Sequence, residues 1–383
     1  MKTLLLTRHR AAFALFAVSL AILVATPQSH QPQQYIVTDL GTLGGTVSFA
    51  NGINERGQVI GWSLTSNNDA VRGFVAQGDE MRLVRSLGGE VAQANGINDG
   101  GQVVGISQLP HIDQFHAFVW DGSKLTDIGT LGGDNAGGRA INNRGVIVGS
   151  SQTANNKSTH AFRYENGTME GFSPSGDFAT ATAINDCNQI VGYFFWRERK
   201  EICSFLWQGD THCVLPSIGG RATFALGLNG RGKIVGVGDT MAKDTEHAFI
   251  YDNASGKISD LGTLGGDYSE ARSINDAGQV VGFSTLYGYK VAHGFIVEDG
   301  KMIDLNTRLR DADGYEVESA YGINDVGQIA ATGFVGGDDV YHALRLDPMR
   351  GSALTPGAVS LLILAASGAF VALAENFRKR RRG

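Results

Sequence analysis

The chain has 383 residues, 53 of them Gly, with only 7 Pro and 3 Cys. Gly without a three-residue period excludes collagen, and a hydrophobic content of 42 % excludes wholesale disorder. Residues 1–34 carry three cations and no acid and residues 375–383 five cations and one acid, so the overall charge of −6 leaves −13 for the interior. That balance argues against nucleic acid, whose phosphates need Lys and Arg.

Residues 1–34 read as a secretory signal peptide and short linker. Lys2, Arg8 and Arg10 precede an apolar run from Ala11 to Ala25, the length of a secretory h-region and short for a membrane span. Tyr35–Leu40 then stands alone as a strand-like piece ahead of a repeat array over residues 35–348.

An Ile-Asn or Leu-Asn pair recurs at Ile53, Ile97, Ile141, Ile184, Leu228, Ile274 and Ile323, spaced by 44, 44, 43, 44, 46 and 49 residues. A second marker, His-Ala-Phe or a variant, ends at Phe74, Phe118, Phe162, Phe205, Phe249, Phe295 and Leu344 with the same spacings. In the second copy, strand-like pieces run over residues 91–97, 102–107, 116–120 and 124–128. Asn98-Asp99-Gly100-Gly101 reads as a type I turn and Asp121-Gly122 as a hairpin turn. Four short strands with short loops fill a period of this length, and no segment has helical periodicity.

Two small residues precede each Ile or Leu, such as Ala94 and Gly96, or Gly138 and Ala140. They are expected on one face of the first strand, where neighbouring backbones approach closely. The third strand, with Phe118 and Trp120 on one face and Ala117 and Val119 on the other, reads as buried on both sides. The seventh copy ends at Leu346 without a fourth strand, while Tyr35–Leu40 matches the fourth strands at 124–128 and 257–261. The fold expected is therefore all-β: a seven-bladed β-propeller of four-stranded blades, closed by the N-terminal strand.

Cys187, Cys203 and Cys213 fit no zinc spacing. Cys203 and Cys213 flank the turn at Gln208-Gly209-Asp210, which puts a disulfide between them within reach, though a free pair is equally compatible. Residues 308–318 depart most from the repeat, and Asp311 and Asp313 are weak calcium candidates set against a plain acidic turn. Residues 349–383 form a linker, an apolar segment from Ala358 to Ala374, and a basic cluster over 378–382. This is the pattern of a C-terminal transmembrane anchor with its charge held on the cytoplasmic side.

Asp-Leu-Gly-Thr-Leu-Gly-Gly at 39–45 and 260–266, Ile-Asn-Asp-Ala-Gly-Gln-Val-Val-Gly at 274–282, and His-Ala-Phe at 116–118, 160–162 and 247–249 resemble the bacterial extracellular HAF-repeat family. The resemblance covers residues 35–348. It departs at Arg72 and Cys203 in place of His, and at Leu344 in place of Phe. It implies secretion or surface display and no particular activity. The C-terminal segment resembles a PEP-CTERM sorting signal, with Thr355-Pro356-Gly357 where Pro-Glu-Pro is expected.

The repeat histidines His116, His160, His247, His293 and His342 sit in different blades, too far apart to share one ion, and read as structural groups bonding a nearby turn. Asn54, Asn98, Asn142, Asn185, Asn229, Asn275 and Asn324 read as turn residues. The Gly-Gly pairs lack the Lys and helix of a phosphate loop. Variation concentrates at Asn51, Asn95, Arg139, Thr182, Leu226, Arg272 and Tyr321, one per first strand. These residues read first as neutral variation at exposed positions, and they are the candidate ligand contacts if a channel mouth binds one. No catalytic residue and no cofactor is assigned. The function expected is an exported, surface-associated binding or structural module of the envelope or extracellular matrix, contacting polysaccharide or envelope protein. A glycan hydrolase or lyase on the same scaffold is the alternative.

Overall fold

The computed structural model describes residues 32–349, except 79, 177, 210, 243, 289, 290, 313 and 337. The expected export segment up to residue 31, the apolar segment 358–374, the basic cluster 378–382 and Asp313 lie outside the described residues. No helix among the described residues is long and apolar enough to cross a membrane. The described chain is all-β, its only helices being short 3-10 turns.

The strands of the second repeat, Ala92–Ile97, Val103–Gln108, Phe115–Trp120 and Leu125–Gly129, begin and end within one residue of expectation and pair in chain order, antiparallel. Gly101 N–H donates to Asn98 O at 3.0 Å and Gly101 takes φ +81°, the left-handed conformation that the turn needs. At the second turn Trp120 pairs with Leu125, so Gly122 and Ser123, not Asp121 and Gly122, are the two central residues.

Repeats 1 to 4 each form a four-stranded sheet. Repeats 5 and 6 share an eight-stranded sheet, joined by a single parallel bridge between Glu246 and Tyr268. Repeat 7 contributes Tyr315–Ile323, Ile329–Val335 and Asp338–Pro348. Its fourth position is taken by the N-terminal strand Tyr35–Asp39, antiparallel to Asp338–Pro348 from Tyr35 opposite Pro348 to Asp39 opposite Leu344. The departure before repeat 7 also has a structural use. Leu309–Arg310 pairs in parallel with Tyr35 and Ile36, covering the outer edge of that strand.

The core consists of seven apolar clusters, each drawn from two neighbouring repeats. One joins Ile60, Val75 and Val84 of repeat 1 to Ala94, Val103, Phe118 and Trp120 of repeat 2, and another joins Ala50 and Phe74 of repeat 1 to Ala330 and Ala343 of repeat 7. The six marker Phe and Leu344 are fully buried. Each Phe contributes roughly 1.5–3 kcal/mol by leaving water. The two faces of the third strand do serve different clusters, Phe118 toward repeat 1 and Ala117 toward repeat 3. Gly105 on the second strand shows why a side chain is excluded beside the marker. A Cβ there would lie 1.9 Å from Gln93 O and 3.0 Å from the Phe118 ring.

One expectation about the first strand is corrected. Ala94 pairs with Gly105 and Gly96 with Val104, successive residues of one strand, so the two small residues lie on opposite faces. Gly73 of repeat 1 packs close to Ala94, whereas a Cβ on Gly96 would come 2.8 Å from Arg139 O in repeat 3. Both positions are small because backbones approach closely, but from two sides.

Candidate functional site

The break in alternation is a β-bulge. Between Ala94 and Gly96 one residue, Asn95, has no partner on the second strand. The same skip occurs at Asn51, Arg139, Thr182, Leu226, Arg272 and Tyr321. A bulge frees one residue from the ladder and re-aims its side chain. All seven bulged residues line one cavity of about 330 Å³, to which every repeat contributes. The sequence singled out these seven positions by their variability. It did not reveal the bulge, whose signal was a variable residue fixed between two small ones.

The cavity wall is polar. Asn51 Nδ2 donates to Ala94 O at 2.9 Å, Asn95 Nδ2 to Gly138 O at 3.0 Å and Thr182 Oγ1 to Ala225 O at 2.8 Å, each fastening the next first strand. Arg272 Nε lies 2.6 Å from Glu270 Oε1, an ion pair rather than a well-aimed hydrogen bond, and the guanidinium stands 5.3 Å from the Tyr321 ring centre. Tyr268 donates its hydroxyl to the buried Glu270 at 2.5 Å. Burial, and then the Glu270 charge, push the Tyr268 hydroxyl far above its ordinary pKa. Arg139 differs from Arg272. It is exposed to the cavity and has no hydrogen-bond, ion-pair or ring partner among the described residues. Trp62 stacks on Phe49 at 4.5 Å, and Tyr193 meets Phe224 edge-on at 4.9 Å. Thr180 is 3 % exposed, and its Oγ1 lacks a hydrogen-bond partner. No carboxylate is among the residues lining this cavity.

A second cavity of about 370 Å³ lies where the first strands end. Here the seven Asn are more than turn residues. Each Oδ1 accepts from its own turn, as Asn229 does from Arg231 N and Lys233 N. Each Nδ2 donates to the carbonyl of the next Asn: Asn54 to Asn98, Asn98 to Asn142, Asn142 to Asn185, Asn185 to Asn229, Asn229 to Asn275, Asn275 to Asn324, and Asn324 to Asn54, all at 3.0–3.1 Å. The following residues form a second chain, in which Asp99 accepts from Glu55 N, Asp276 from Gly230 N, Asp325 from Asp276 N and Glu55 from Asp325 N. Partial burial first, and then the charges of Asp325, Asp99 and Asp276, raise the Glu55 carboxyl above the usual range.

The repeat histidines are structural, but their partner was not foreseen. His116, His247, His293 and His342 bond Asp127, Asp260, Asp304 and Asp39 through Nδ1 at 2.7–3.0 Å. Each Asp also accepts from a backbone N–H two residues on, such as Gly129 N and Gly41 N, so His locks the turn that leaves the fourth strand. Where His is replaced, by Arg72 and Cys203, Leu83 and Val214 stand in the Asp position. In repeat 3 Gly171, opposite Phe162, stands in the Asp position, and His160 contacts Ser158 and Gly176 O instead.

The possible disulfide is corrected: all three cysteines are free. The hairpin register sets Cys213 opposite Leu206, three residues from Cys203, and Cys203 is buried while Cys213 is exposed. Asp311 is 91 % exposed and lies 3.7 Å from Arg310 Nε. No group of three metal-ligating side chains occurs among the described residues.

The model of a family described as a protein of unknown function, DUF3466, matches residues 173–344, the span of the last four repeats. No curated protein matches the sequence. Among solved structures, the β-propeller domain of the Trilobed protease from Pyrococcus furiosus, described as having an open velcro topology, is similar with a TM-score of 0.54 at 12 % identity, over 79 % of this chain and 93 % of that one. The fold is a β-propeller. YCF48, solved bound to D1 peptide, is similar to this propeller with a TM-score of 0.51 at 10 % identity, over 86 % and 98 % of the two chains. An acylaminoacyl peptidase from Pyrococcus horikoshii gives 0.50 at 14 % identity over 77 % of the propeller chain, which spans 50 % of that enzyme. At these identities the likeness concerns the fold alone.

Proposed function

We propose that the seven repeats are seven four-stranded blades around one axis, closed by the N-terminal strand. In this reading the chain is an exported HAF-repeat protein that acts as a non-enzymatic binding module of the cell surface or extracellular matrix. A PEP-CTERM-like C-terminal segment holds it at the membrane or is cleaved. Closure is supported by the pairing of Tyr35–Asp39 with Asp338–Pro348 and by the Asn324-to-Asn54 bond. The binding reading rests on one observation: the seven bulged residues, which vary between two small positions in every repeat, share one polar cavity. Its ligand is an extracellular polysaccharide or envelope protein. Hydrolysis by a carboxylate pair needs two acids beside the scissile bond, and this cavity lining offers none.

The test is an array of envelope glycans and proteins probed with the wild type and with Tyr321→Ala. A ligand lost in the variant supports the reading. Binding that is indifferent to Tyr321 and to the other bulged positions moves the site elsewhere, and turnover of a glycan abolished by one carboxylate substitution replaces the module with an enzyme.

A further inference from the structure

The cavity is not symmetric. Two residues before each bulged position, one first-strand residue pairs with one second-strand residue, and Trp62, Gln93, Thr180 and Tyr193 of these pairs reach the cavity lining. In repeats 1 to 6 these pairs are Phe49–Trp62, Gln93–Ile106, Gly137–Ser150, Thr180–Tyr193, Phe224–Val237 and Glu270–Phe283. Repeats 3 and 7 are small on both sides, but Ser319 and Thr332 of repeat 7 are buried, whereas Gly137 and Ser150 of repeat 3 line open space. The backbone does not demand this glycine, since a Cβ on Gly137 would meet only Ile106 side-chain carbons at 3.6 and 3.9 Å, ordinary contact distances. What Gly137 and Ser150 leave is a notch, a further cavity of about 310 Å³ that shares Gln93, Asn95 and Arg139 with the first. Arg139 stands where the two meet.

We propose that the shared cavity and the repeat 3 notch together form an extended subsite for a uronate-bearing oligosaccharide, with Arg139 as the partner of a sugar carboxylate. The inference rests on the binding reading above and names its ligand class. Three observations carry it. A guanidinium left without a protein partner is a bidentate donor matched to carboxylate. Trp62, Tyr193 and Tyr321 bring rings to the lining, and Asn95 and Gln93 bring the donors and acceptors that vicinal hydroxyls need. The notch makes the site long rather than round, which fits a linear chain. An acidic peptide is the competing ligand, because each of the first strands of repeats 1 to 4 is the edge of its sheet and peptide recognition uses such edges, and hexaglutamate tests it.

The experiment is calorimetry on the full chain with hexamers of galacturonate, mannuronate and hyaluronan, a neutral hexamer (maltohexaose), and hexaglutamate. At least one uronate hexamer should bind, and Arg139→Gln should weaken it tenfold or more while leaving the thermal unfolding midpoint unchanged. Gly137→Phe is a second arm. Repeats 1 and 5 already carry Phe at this position, so the variant should fold, fill the notch and lose the hexamer while retaining the corresponding uronate dimer. Binding of a uronate that ignores Arg139 overturns the proposal. So does preference for the neutral hexamer or for hexaglutamate, and if that binding is lost in Tyr321→Ala the cavity keeps its role with another ligand. Absence of binding by every uronate also overturns the uronate assignment. If the glycan and protein array is then also indifferent to the bulged residues, the binding reading falls with it.

Discussion

Replacing Asn229 by Ala removes three hydrogen bonds at once: those accepted from Arg231 N and Lys233 N, and the one donated to Asn275 O in the next repeat. Asn229 is 4 % exposed, so water replaces these poorly. At about 1 kcal/mol per bond the loss is roughly 3 kcal/mol. With an unfolding entropy of roughly 2.1 cal/mol/K per residue, a body of this size has about 0.65 kcal/mol/K, and the midpoint should fall by about 5 °C. Asn229→Asp separates the two roles. It keeps the oxygen that the turn needs but sets an acceptor against the Asn275 carbonyl. Thermal unfolding at pH 7 should therefore show both variants destabilised, with calorimetry as the assay. Asn229→Asp melting with the wild type would refute the reasoning, because the bond between repeats would then contribute nothing.

Two further outcomes follow from the same geometry. The Glu55 carboxyl has a raised folded-state pKa, so its contribution to stability is complete below the ordinary glutamate range and fades as pH rises through the raised value. Glu55→Gln should therefore gain on the wild type in thermal midpoint between acid and neutral pH, and high salt should shrink the gain; a difference independent of pH would contradict it. Burial also raises the Cys203 thiol. In the folded chain Cys187 and Cys213 should react promptly with a thiol reagent and Cys203 only on unfolding, which a timed mass-spectrometric count of modified thiols would check.

The period, the strand order and the place of Tyr35–Asp39 were legible because each depends on local pattern repeated seven times. The seven cavity residues were legible for the same reason, as a variable position held between two positions that are small in every copy. Other features depend on contacts between segments. The bulge at Asn95 is a skip in pairing, signalled only by a variable residue between two small ones when the copies are compared, so a period-two reading put Ala94 and Gly96 on one face. The Asn chain depends on where the next repeat sets its carbonyl. The His–Asp clamp could have been found by noticing that Asp127, Asp260, Asp304 and Asp39 accompany His, and that Leu83 and Val214 accompany Arg72 and Cys203. The notch at Gly137 and Ser150 required the cross-strand register that makes those two residues a pair.

The account depends most on the first ordered strand completing the last sheet. Amide hydrogen exchange resolved to residues 35–40 tests this directly. The amides of Tyr35–Asp39 that bond across the pair should exchange as slowly as those of 344–347 opposite them, and the two segments should lose protection together as denaturant is added. Rapid exchange over 35–40 while 344–347 remains protected would contradict the closed arrangement, and with it the single cavity shared by seven repeats.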